Sequence, residues 1–292
     1  MPPWASEVRC PRPSPGPGRA VHVAVLLKTT RHYRKTRLRD VLASWAPGAE
    51  ALLVASDAPL KGLPAGAGLV VVRDERRAPV VPQWKEADPN VLDARGRRHP
   101  VTKDEDFPAF YHSILVRQLV ALQALRDCLP SAEHVLVVDD DTFVPRALLR
   151  GGLRGRLDPA APRLLGKPVG SQPFVHPPWR EAYAGAAHCG GGSGMLLTRG
   201  LLEALDALGG PAACLAAPLP LAYYSDVNIG ACLFHHLGVR CELPPVPPED
   251  WSCHSNGVPT PLFRTPERFG RGRPWQGEHA GFACVPRQGA EL

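Results

Sequence analysis

The sequence predicts an α/β protein whose sheet contains parallel strands. Three observations carry that expectation: apolar, β-branched runs of strand length at 21–27 and 135–138, segments of helical period between such runs, and the strand, helix, strand order in which they follow one another. The chain has 292 residues, 44% hydrophobic and 21% charged, enough for one large or two modest domains with a real core. Gly 28 and Pro 34 make about a fifth of it, just under the range of roughly 25 to 30% that marks low-complexity disorder.

Residues 1–19 hold six prolines and read as an extended, unpacked leader. The run Val21, His22, Val23, Ala24, Val25, Leu26, Leu27 is then the first buried strand. Over 33–45, Leu38, Val41, Leu42 and Trp45 recur at helical spacing, and Pro47 and Gly48 stop the helix. Strands are expected at 51–54 and 69–72. The charged, proline-punctuated stretch 73–108 is too long for a simple connection and reads as a functional flap in preference to a disordered insertion. Ile114, Leu115, Leu119, Leu122 and Leu125 predict a helix over 110–125, ending before Pro130 and feeding the strand 135–138. A Gly-rich segment at 190–194 leads into 195–197, and helices follow over 201–208 and 226–237, the latter capped by Ser225. From Pro244 onward the chain reads as irregular. The domain reading is a leader 1–19, a catalytic domain 20–258 and an irregular segment 259–292.

Several function classes are set aside by composition. No apolar stretch reaches the roughly 18 residues that span a bilayer, and no signal or anchor is visible at the start. The net charge of +6 comes from scattered Arg residues, not one basic stripe, so no nucleic-acid partner is expected. Eight cysteines without a Cys-x-x-Cys pair weigh against a zinc knuckle or a thioredoxin-like site; they permit disulfides without demanding them.

The chemistry-bearing residues begin with Asp139, Asp140 and Asp141 at the end of an apolar strand. Three adjacent carboxylates next to desolvating valines repel one another and call for a cation. In an extended chain Asp139 and Asp141 share a side and can share a divalent ion, whereas Asp140 faces another partner; hard oxygen donors suit Mn²⁺ or Mg²⁺. The bland alternative is a solvated acidic turn. His254 could complete such a shell, although a lone His in a Pro-rich region is by default a surface residue. Asp226 at a helix start complements the helix dipole, and could also be a general base for a hydroxyl substrate. The Gly run lacks the Lys-Ser/Thr of a phosphate loop, which excludes a P-loop. Residues 28–37 gather cations and hydroxyls after the first strand, as a nucleotide site or as a solvated basic loop.

Taken in order, Val23-Ala24-Val25-Leu26-Leu27-Lys28-Thr29-Thr30, Asp139-Asp140-Asp141, Gly166-Lys167-Pro168, Gly191-Gly192-Ser193-Gly194, Asp226-Val227-Asn228-Ile229-Gly230 and Cys253-His254-Ser255 resemble the Fringe family of β-1,3-N-acetylglucosaminyltransferases. The resemblance implies a GT-A type nucleotide-sugar transferase fold, with a mixed, mostly parallel central sheet flanked by helices. It implies Mn²⁺, a UDP-sugar donor, a glycan or glycoprotein acceptor, inversion at the anomeric carbon and residence in the Golgi lumen or secretory pathway. Residue by residue, it makes Asp139, Asp141 and His254 metal ligands, places Asp140 by the donor sugar or ribose, puts Thr29, Thr30 and Arg37 at the nucleotide, and makes Asp226 the catalytic base. Ser225 and Cys253 depart from the family's motifs, where an Asp and an aromatic residue stand. They motivate an alternative, a catalytically inactive protein of this fold that binds glycan or glycoprotein.

Overall fold

In the computed structural model, residues 5–14, 20–73, 107–170, 181, 183–216, 225–246 and 251–254 are described, with the backbone alone at 107–112 and 253–254. Strands β1 (Ala5–Arg9), β2 (Val23–Lys28), β3 (Ala51–Ser56), β4 (Gly68–Val72) and β5 (His134–Asp139) precede the short ribbon strand β6 (Thr142–Phe143). Then come β7 (Leu164–Gly166), β8 (Pro168–Gly170), β9 (Ala187–Cys189), β10 (Met195–Thr198), β11 (Cys241–Glu242) and β12 (Cys253–His254). The helices are α1 (Arg39–Ala43), α2 (Phe107–Cys128), α3 (Arg146–Leu149), α4 (Arg199–Asp206), α5 (Ala213–Ala216) and α6 (Ser225–Leu237).

One 8-stranded sheet runs in the order β1-β4-β3-β2-β5-β10-β7-β11. Strands β4, β3, β2 and β5 pair in parallel, and β11 is parallel to β7. Strands β1 and β10 alone run against the rest. The sheet is therefore mixed and mostly parallel, as the sequence predicts. Its central strands are buried on both faces, so they read as continuous apolar runs instead of alternating ones. Along β2 the period of two still sorts the side chains. Ala24 and Leu26 join one core layer with Leu115, Leu119 and Leu122 of α2, and Val23, Val25 and Leu27 join the other with Trp45, Leu148 and Trp251.

Two readings are corrected. The leader is not unpacked: β1 pairs antiparallel with β4, and Cys10 just after it forms a disulfide with Cys128 at the end of α2. The segment 33–45 is not one regular helix; a 3₁₀ turn at Arg31–Tyr33 and a π turn at Arg34–Leu38 precede α1. The short strands β7, β8, β9 and β11 carry too few residues to show a period, and only their pairing defines them. Among the cysteines, the permitted disulfides form at Cys10–Cys128, Cys189–Cys241 and Cys214–Cys232. No helix among the described residues is long and apolar enough to cross a membrane. The expected flap over 73–108 and the segment 259–292 lie outside the described residues, apart from Arg73 and the first two residues of α2.

Candidate active site at the carboxyl end of the sheet

Strands β2 and β5 end side by side, with Lys28 opposite Asp139. The carboxyl ends of parallel strands are where an open α/β sheet gathers its ligands. The buried Lys28 ammonium lies 3.1 Å from the Asp139 carboxylate and donates to Gln118 Oε1 at 3.0 Å. Beyond Asp139 the strand stops, and Asp140 and Asp141 form a turn, so the strand alternation no longer sorts their side chains. They share a cation instead: Arg37 Nη1 lies 2.9 Å from Asp141 Oδ2 and 3.5 Å from Asp140 Oδ1. The π turn brings Arg37 there, with its guanidinium over the Tyr33 ring at 4.2 Å.

Asp140 is the most buried of the three acids, at 4% exposure. Burial pushes its carboxyl up to about 7; the hydrogen bond donated by Thr29 Oγ1 at 2.6 Å opposes that, Asp141 and Asp139 add to it, and Arg37 opposes it. Thr29 is itself held by Arg117, which donates to its carbonyl oxygen at 3.1 Å. The Thr30 hydroxyl is buried without a hydrogen-bond partner.

The Gly-rich segment closes over this strand end. Thr142 Oγ1 donates to the Gly192 carbonyl at 3.0 Å, and Ser252 Oγ donates to the Ser193 carbonyl at 2.6 Å. Gly194 is needed here, because at φ 78° a Cβ would meet Ser252 Oγ at 2.7 Å. Trp45 Nε1 donates to the Thr142 carbonyl at 2.9 Å and so props the turn from below. Strand β12 pairs with β6, putting the His254 backbone opposite Thr142, next to Asp141. The His254 imidazole itself lies outside what the structure describes.

Asp226 opens α6 on the other side of the Gly segment. Its Oδ2 accepts the Gly191 amide proton at 2.8 Å and its Oδ1 accepts that of Val227 at 2.9 Å. Both oxygens are thus aimed while keeping lone pairs for another donor. One helical turn along, Gly230 lets α6 approach β9 so closely that a Cβ would lie 2.4 Å from His188 Cβ. His188 is 3% exposed, and burial lowers its imidazole below 6.5 against the raising field of Asp226.

The site therefore brings together Thr29, Arg37, Asp139, Asp140, Asp141 and the backbone of His254, and places Asp226 beyond the glycines that cover them. Lys28, Arg117, Gln118 and His188 were not assigned from the sequence. The signal for the α2 pair was present, since Arg117 and Gln118 interrupt an otherwise apolar helix face. The donors fit Mn²⁺, because they are hard carboxylate oxygens gathered at one strand end. Among the described residues the three acids do not bring three oxygens within 4.8 Å of one another, so a metal would take two of them and complete its shell elsewhere.

No protein-family model matches the chain, and no curated protein matches it. Solved structures resembling it include a galactosyltransferase, LgtC, in complex with donor and acceptor sugar analogues, at 13% identity over 75% of this chain and 72% of that one, with a TM-score of 0.41. Another is glucosyl-3-phosphoglycerate synthase from Mycobacterium tuberculosis in complex with Mn²⁺, UDP and glucosyl-3-phosphoglycerate, at 17% identity over 77% and 70%, with a TM-score of 0.36. An active-site mutant of LgtC aligns at 14% identity over 75% and 72%, with a TM-score of 0.35.

Proposed function

We propose that the chain is an inverting, Mn²⁺-dependent glycosyltransferase of the GT-A type, similar to the Fringe family, that moves a hexose or N-acetylhexosamine from a UDP-sugar to a sugar hydroxyl on a glycan or glycoprotein. N-acetylglucosamine in β-1,3 linkage is the transfer the motifs favour. The observation that carries this reading is the meeting of motifs far apart in the chain: the segment 28–37, the acids 139–141, the glycines 191–194, Asp226 and the strand of His254 all converge on one sheet end.

Asp139, Asp141 and His254 are the residues that would hold the metal. When bound, it supplies Lewis-acid neutralisation of the departing diphosphate. Thr29 and Arg37 meet these acids directly, with Thr30 next in the chain, and Arg37 adds a fixed positive charge where phosphate oxygens would lie. Asp226 takes the proton of the acceptor hydroxyl as that oxygen bonds to the anomeric carbon from the face opposite UDP, which leaves with the electrons of the broken bond. Its two backbone donors hold the carboxylate in place without neutralising it. The three disulfides suit an oxidising compartment and support a Golgi or secretory location.

Calorimetry of a UDP-sugar panel with and without Mn²⁺, on the native chain and on Asp141→Ala, tests the donor site. We expect metal-dependent binding of one UDP-sugar, lost in the variant. A folded native chain that binds none of the panel in any condition refutes the reading. Binding without transfer to any acceptor favours the inactive glycan binder.

A further inference from the structure

The amino ends of β2 and β5, opposite the candidate active site, carry a second polar cluster. His22 immediately precedes β2, Glu133 immediately precedes β5, and His134 opens it. His22 Nδ1 lies 2.5 Å from Glu133 Oε2, and His134 Nδ1 lies 3.1 Å from the His22 carbonyl oxygen. Both imidazoles are buried, at 3% and 0% exposure, with centroids 5.1 Å apart.

The protons follow from these contacts. A carboxylate and a carbonyl are acceptors only, so each ring donates from Nδ1, and burial lowers the His134 imidazole below 6.5 and so keeps its Nε2 a lone-pair acceptor. His22 Nε2 and His134 Nε2 are both buried without any hydrogen-bond partner. At His22 a metal ion would take the place of the Nδ1 proton shared with Glu133, which is released to solvent, and at His134 it would use the open Nε2 while Nδ1–H stays on the carbonyl oxygen. One ligand atom from each of His22, Glu133 and His134 lies within 4.8 Å of the others. Donors at about 2.0–2.1 Å from a tetrahedral ion stand some 3.3 Å apart, so small side-chain rotations close the set. A cavity of about 640 Å³, lined by His22, Glu133, Ala20, Arg154, Gly155 and Leu157, gives a way in. Glu50 accepts the His22 amide proton at 2.6 Å and is paired with Arg154 at 3.6 Å.

We propose that His22, His134 and Glu133 form a binding site for a divalent transition metal of the zinc type, with two imidazole nitrogens, one carboxylate and a water from the cavity as its shell. Imidazole with carboxylate suits zinc and its neighbours, whereas the all-oxygen acids at the other end of the sheet suit harder ions. The two sites are chemically and spatially separate, and this proposal does not depend on glycosyl transfer.

The test is a Co²⁺ titration of the metal-free full chain, followed by visible absorption, in the wild type, Asp141→Asn, His22→Gln and His134→Gln. We expect the intense band of tetrahedral Co²⁺ in the wild type, bleached by Zn²⁺, retained in Asp141→Asn, and weakened at least about tenfold in affinity in both His variants. No band in the wild type, or a band that Asp141→Asn abolishes and the His variants keep, overturns the proposal. Because His134 is fully buried and its variant could misfold, X-ray absorption of the Zn²⁺-loaded wild type provides an independent reading: imidazole scattering supports the site, and an all-oxygen shell refutes it.

Discussion

The two ends of the β2–β5 pair differ in how they settle the polarity they bury. At the carboxyl end each acid meets a cation or hydroxyl brought in from elsewhere: Lys28 for Asp139, Thr29 for Asp140, Arg37 for Asp141. At the amino end the chain supplies oxygens to one nitrogen of each imidazole and nothing to the other. Both ends hold an imidazole beside a carboxylate, His188 with Asp226 and His22 with Glu133. Polar groups that satisfy one another build a preorganised site, with its donors fixed before any ligand arrives. Groups left with open lone pairs are satisfied only when a ligand comes.

The largest expected effect separates the two ends by turnover. Asp226→Asn keeps the hydrogen bonds that orient the side chain on one oxygen but cannot accept the acceptor's proton as a base. Loss of a general base lowers rate by about 10²- to 10⁴-fold. Steady-state transfer assays should show that fall in kcat with UDP-sugar affinity retained. Equal loss of donor affinity and kcat would place Asp226 in the donor pocket, and unchanged turnover would move the chemistry away from this end of the sheet.

The second effect concerns stability, and it bears on what the sequence could reveal. Thr29 is 3% exposed, and its hydroxyl donates to the buried Asp140 at 2.6 Å. Above about pH 7, where Asp140 ionises, a hydrogen bond to this charged group contributes about 1.5–3 kcal/mol. Thr29→Val should lower the urea unfolding free energy by about that amount, and a midpoint shift near zero would mean that Arg37 alone settles Asp140. The strands β2 and β5 and the acids at the tip of β5 were legible because continuous apolar runs and a like-charge cluster are local signals. The turn that swaps the partners of Asp140 and Asp141 was not, because alternation holds only while the strand does. Strand β1 was hidden by the prolines on either side of it and by its half-polar sequence, and it exists by pairing with β4. The His22–His134 pair was invisible for a different reason: its members are separated by 112 residues and meet only through the parallel register of two strands.

The smallest effect sharpens the comparison between the two imidazole–carboxylate pairs, and it is read in acid. Burial holds His188 neutral, lowering it below its ordinary 6.5 although Asp226 pulls the other way. The unfolded chain therefore takes up this proton first as the pH falls through 6.5, while the folded chain does not until its lower value is reached. Stability that is complete above 6.5 should decline between those two points, with a slope of at most about 1.4 kcal/mol per pH unit from this residue. His188→Gln should flatten that part of a urea-unfolding pH profile without changing the stability above 7 by a comparable amount. A profile equally steep in the variant would assign the acid sensitivity to other groups, and would leave the close approach of α6 at Gly230, not the charge state of His188, as the reason that α6 and Asp226 sit where they do.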